Sequence, residues 1–182
     1  MKRLALSLLL VALPSAAMAA RWRVDALLFL NPPSAVERGS TPRHPDNDRA
    51  ISLDDVQGLA YAGISVLPEE ADTLAGEWAT LRANRRYKPL LRLSWIQQDP
   101  PAQHGPALRL YLPSGRGGLE GWLRLEARRG MALVADLEYV QPKADGNLDG
   151  YRLQVRQPMS NHTLHYLDST RLGVLARVSP LP

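Results

Sequence analysis

The carboxy-terminal stretch Leu164 to Pro182, LHYLDSTRLGVLARVSPLP, decides the reading of the fold. Leu164 and Tyr166 share one face, and Asp168-Ser169-Thr170-Arg171 interrupts the run. Leu172, Val174, Ala176 and Val178 then recur at period two with Arg177 on the opposite side. Two such segments around a turn form a β-hairpin, and a hairpin is not stable alone in water; it needs a sheet to join. Working outward, Trp22, Val24, Ala26, Leu28 and Leu30 line one face of a first strand. Its other face begins with Arg21, Arg23 and Asp25 and turns apolar at Leu27 and Phe29. Apolar character on both faces predicts an internal strand.

Between these ends, Pro68 to Arg86 predicts the one main helix. Ala71, Leu74, Trp78 and Leu81 form its stripe, with acids in the first turn and arginines in the last. Tyr87 to Gln97 follows as a strand, and strand, helix and strand in series suggest a right-handed crossover joining two parallel strands. Leu108 to Leu112 is a further short strand, and Leu119 to Arg128 with Met131 to Val140 form a hairpin. Its register is open between two pairings. Arg124 opposite Asp136 would pair charges; Gly130 closing a three-residue loop would instead set Leu123 opposite Ala135. Tyr151, Leu153 and Val155 alternate into the last hairpin. The expected fold class is α+β: a mostly antiparallel, curled sheet of about seven strands with one main helix packed on one face.

Residues 1–19 read as a signal peptide: Met1-Lys2-Arg3, an apolar Leu4 to Leu13, then Ala17-Met18-Ala19 before Ala20. Residues 20–182 are then a single globular domain, exported to the periplasm and not stably inserted in the membrane. Within it, 31–57 is a long loop rich in Pro, Gly and Asp, for which disorder is expected in the first half. Gly58 to Leu67 regains apolar character and suits irregular chain or a short edge strand. The chain has no cysteine, which excludes disulfides, thiol nucleophiles and thiolate metal sites. Loss of Lys2 and Arg3 lowers the net charge from +4 to +2, too weak a bias to suggest nucleic acid.

No catalytic constellation assembles. There is no Gly-x-Ser-x-Gly elbow and no phosphate loop at Gly115 to Gly118. His162, His165 and Asp168 have the wrong spacing for one face of a strand, and no metal or cofactor is expected. Glu120, Glu126, Asp136 and Glu138 interleave with Arg124, Arg128, Arg152 and Arg156. This pattern reads as a ladder of ion pairs on the outer hairpin face rather than a pair of glycosidase acids. Trp122, beside Arg124 on that face, suits glycan stacking or a protein contact, although aromatic packing is the default for such a residue.

Three stretches taken together resemble the CsiV family of periplasmic proteins. They are Trp22 to Phe29; the helix running into Tyr87-Lys88-Pro89-Leu90-Leu91-Arg92-Leu93-Ser94-Trp95-Ile96-Gln97; and Leu164-His165-Tyr166-Leu167-Asp168 followed by Gly173-Val174-Leu175. The resemblance implies a non-catalytic peptidoglycan-binding protein that supports cell-wall synthesis by penicillin-binding proteins. It implies peptidoglycan as ligand, and a penicillin-binding protein or its lipoprotein activator as partner. By family match, Trp95, His165, Tyr166 and Asp168 are the expected ligand-binding residues. The competing readings are a structural adaptor that binds only a protein, and an unrecognised wall hydrolase.

Overall fold

The computed structural model describes residues 20–33, 39–46 and 49–182. The expected signal peptide and residues 34–38 and 47–48 of the long loop lie outside the described residues. Among the described residues, ten strands form two five-stranded sheets. Sheet A has the order β3 (Ile64–Leu67), β4 (Lys88–Gln98), β1 (Arg21–Leu30), β10 (Leu172–Leu181), β9 (Leu164–Asp168). Sheet B has the order β2 (Ala50–Ser52), β5 (Ala107–Ser114), β6 (Gly117–Glu126), β7 (Ala132–Pro142), β8 (Leu148–Pro158). This corrects the expectation of one curled sheet of about seven strands.

The core lies between the sheets. Val24, Ala26, Leu28, Val174, Ala176 and Val178 of sheet A are fully buried, in one cluster with Leu108, Leu123, Leu133, Ala135 and Leu137 of sheet B. Strand β1 is internal, flanked by β4 and β10, as its two apolar faces require. The terminal hairpin forms as read, with Val174 opposite Leu167.

The parallel crossover is overturned: β1 and β4 are antiparallel. After β1 the chain leaves sheet A to supply β2 to sheet B. It returns through helix α1 (Val56–Tyr61) and β3, which enters on the far side of β4. The helical segment thus links two adjacent antiparallel strands. The single helix expected over 68–86 is also divided, into a 3-10 turn (Glu69–Ala71) and α2 (Ala75–Ala83). Asp72 and Thr73 break it because their side chains are committed elsewhere. Asp72 pairs with Arg92 and accepts the Leu74 amide, and the Thr73 hydroxyl donates to Asp25 at 2.8 Å. Leu74, Trp78 and Leu81 still pack on the outer face of sheet A, against Leu27 and Phe29.

In sheet B, Leu123 faces Ala135, so the register set by Gly130 wins over the one pairing Arg124 with Asp136. Gly130 and Arg129 both have positive φ, 107° and 52°. Gly121 has φ 136°, and a Cβ there would stand 2.1 Å from the Asp136 carbonyl oxygen. Only glycine lets β6 and β7 approach at this point.

Candidate functional site

Inward positions of sheet B are apolar, so the alternate residues face outward as a charged surface. Part of it is covered. Residues 39–46 run across it as a strap, held by paired hydrogen bonds between Ser40 and Gly150 and by the Arg43 amide, which donates to both oxygens of Glu138 at 2.9 Å. His44 Nδ1 meets Glu120 Oε1, and the Trp122 indole donates to the Asp46 carbonyl at 2.8 Å. Gly150 makes the close approach possible, since a Cβ there would lie 2.5 Å from Glu138 Oε1 and 2.9 Å from Pro42 Cα. The hydrogen bond and charge of Glu120 raise the pKa of His44 above the ordinary imidazole value.

Beyond the strap the face opens into a trough. One cavity of about 540 Å³ is lined by His104, Arg124, Arg128, Arg129 and Arg156, with Glu126 as its one acid. A second, of about 310 Å³, shares His104 and Arg124 with the first and is bordered by Arg49, Asp46 and Trp122. Arg124 stands 4.8 Å over the Trp122 ring and donates to Glu126 at 3.0 Å. Arg156 donates to the other oxygen of the same carboxylate at 3.1 Å. Two guanidiniums therefore share one buried acid, which leaves the trough cationic. Arg128 donates only to the neutral Gln103, and Arg129 has no ion-pair partner among the described residues. Guanidinium forks bind carboxylates through paired hydrogen bonds, and the partly exposed Trp122 indole offers a flat apolar face to a sugar. The arrangement suits a ligand carrying both.

Two of the acids on this face, Asp136 and Glu126, are held by arginines, as the ladder reading expects. Arg152 grips Asp136 with contacts of 2.8 and 2.7 Å, and Glu126 is held from two sides. Glu120 and Glu138 depart from the ladder, because they meet the strap instead of arginine side chains.

The expected ligand residues lie elsewhere, on sheet A. Trp95 is completely buried in the inter-sheet core, its indole directed at Gln97. A side chain with no accessible surface cannot touch a polymer in solution. His165, Tyr166 and Asp168 share edge strand β9 but not a face. Leu167 between them points into the core, and His165 Nε2 accepts the Ser160 amide at 3.0 Å. Tyr166 is half exposed, stacks on Phe29 with centroids 6.1 Å apart, and donates to Asn31 at 3.1 Å. Burial raises its pKa. The sequence reading placed Trp122 beside Arg124 but missed the clustering of Arg128, Arg129 and Arg156 with them, and it missed His44. The available signal was the pair Gly39 and Gly150, small residues at which the strap and β8 come together: a Cβ on Gly39 would lie 2.5 Å from Asp149 Cβ.

No curated protein sequence and no solved structure matches the chain significantly. One family model does, over residues 3–181, nearly the full length and including every strand of both sheets. The chain belongs to the CsiV family, described as peptidoglycan-binding proteins.

Proposed function

We propose that the protein is a non-catalytic periplasmic protein that binds peptidoglycan through the cationic trough on the outer face of sheet B and supports wall synthesis by penicillin-binding proteins. The observation that carries the site assignment is the grouping of Arg124, Arg128, Arg129 and Arg156 around one buried acid, with Trp122 at its end. Peptide stems of the wall carry carboxylates, which the forks of Arg128 and Arg129, neither of them held by an acid among the described residues, can pair with. The adjoining glycan offers pyranose faces to Trp122. His165, Tyr166 and Asp168 keep a secondary place in this reading as a contact at the open edge of sheet A, supported by the half-exposed Tyr166 ring. Trp95 acts only through the core.

The test is co-sedimentation with purified sacculi, followed by muropeptide analysis of the pelleted wall. The protein pellets with the wall and leaves the muropeptide profile unchanged. A soluble protein at physiological salt contradicts the binding reading, and new cleavage products contradict the non-catalytic one. In-cell crosslinking to a penicillin-binding protein or its lipoprotein activator, compared with and without an intact wall, tests the partner. Crosslinks that persist unchanged without the wall favour the adaptor reading.

A further inference from the structure

The strap creates a second constellation, distinct from the trough. Glu120 and Glu138 stand directly opposite each other on β6 and β7. Like charges in that relation repel, and here Glu138 is only 1% exposed. Among the described residues no Lys or Arg side chain pairs with Glu138. Arg152, its cross-strand neighbour on β8, is engaged bidentately by Asp136. The two carboxylates thus need a cation, and the strap brings one nitrogen to them. His44 Nδ1 and an oxygen from each glutamate all lie within 4.8 Å of one another.

We propose that His44, Glu120 and Glu138 bind a divalent transition-metal ion of the zinc type, which fastens the 39–46 strap to sheet B. One imidazole nitrogen with two carboxylate oxygens is a donor set for such ions. Mg²⁺ and Ca²⁺ take more oxygens and no imidazole. Zinc sits about 2.1 Å from each donor, which sets the three atoms about 3.5 Å from one another; the hydrogen-bonded His44 and Glu120 atoms move apart to admit the ion. The exposed His44 and the partly exposed Glu120 are free to make that adjustment, while Glu138 is fixed by the Arg43 amide. The remaining coordination faces a cavity of about 200 Å³ between the strap and the β5–β6 turn, bordered by Tyr111, Pro113, Arg116 and Leu148. The ion and the proton on His44 compete for the same nitrogen. The proposal does not depend on peptidoglycan binding.

The untagged full chain, stripped with a chelator, is titrated calorimetrically at pH 7.5 with ZnCl₂ and separately with MgCl₂. Tryptophan fluorescence is followed in parallel, with Trp122→Phe run alongside to single out Trp122 among the four tryptophans, because its indole holds the strap two residues beyond His44. One zinc ion binds saturably with a micromolar or tighter Kd, the fluorescence changes with it, and magnesium does neither. His44→Ala and Glu120→Gln, both at the surface, each weaken zinc binding at least tenfold, whereas His104→Ala leaves it unchanged. Absence of saturable zinc binding by the unsubstituted chain overturns the proposal. So does binding that survives both ligand substitutions, falls equally with His104→Ala, or is matched by magnesium.

Discussion

Single side chains carry unequal weights here, and burial decides the order. Asp25 is 1% exposed and accepts hydrogen bonds from Arg23, Thr73 and Ser94, the last at 2.6 Å. It ties β1 to β4 and to the segment that leads into α2. Asp25→Ala leaves the buried Ser94 hydroxyl unpaired and takes the acid from the partly buried Arg23, and costs about 2 kcal/mol or more, read as a lowered midpoint of urea unfolding. Trp122 lies at the surface, and Trp122→Ala lowers stability by less than about 1.5 kcal/mol while weakening sacculus binding. The opposite pattern, large destabilisation with unchanged binding, would make Trp122 a packing residue. Trp95 shows where a residue's role escapes the sequence. Its alternation with Leu91 and Leu93 identified an inward face of a strand, but family likeness alone made it a ligand residue, and the second sheet that covers it was not visible in the pattern.

Among elements, the strap and the turns were hardest to read and now make the clearest predictions. The 39–46 segment has few apolar residues and no periodicity, so nothing local announces that it docks. What fixes it is long-range: Gly150, Glu138, Glu120 and Trp122 all belong to strands 76 to 110 residues away in sequence. Gly150→Ala forces a Cβ against Pro42 and Glu138. It releases the strap and speeds limited proteolysis between residues 39 and 46. Proteolysis at the original rate would mean that the strap is not seated by this contact. The β7–β8 turn supplies a pH test. The backbone amide and side chain of Asn147 hold the Asp145 carboxyl below its ordinary pKa. Its contribution is therefore present above the ordinary carboxylate range and lost as pH falls through the depressed value. Wild type and Asp145→Ala differ in Tm at pH 6 and converge as the pH falls below the ordinary carboxylate range. The strands, in contrast, were legible residue by residue. Period two marked both faces of β1, while the β6–β7 register stayed open between two pairings until the structure chose the one that Gly130 favours.

At the scale of the whole molecule, period-two patterning shows how many faces are buried but not how strands are shared between sheets. Strands β2 and β3 are three and four residues long, too short to register as alternation, and each lies at an edge of its sheet; the division into two sheets rests on which of the longer strands pair, and patterning within a strand does not state that. The same limit hid the trough. Its arginines come from β6, from the turn after it and from β8, and only the packed sheet sets them side by side. Binding that depends on these cations weakens with ionic strength, because exposed charges are screened over about 10 Å at 0.1 M salt. Retention on sacculi therefore falls between 50 and 500 mM NaCl, and binding indifferent to salt would point to an apolar contact instead. The most direct test of the account is the sacculus co-sedimentation of a folded triple variant, Trp122→Ala with Arg128→Ala and Arg129→Ala, beside the unsubstituted chain. The account predicts that the unsubstituted chain pellets with the wall and that the variant, with an unchanged circular dichroism spectrum, stays in the supernatant. A variant that pellets as fully as the unsubstituted chain would contradict it.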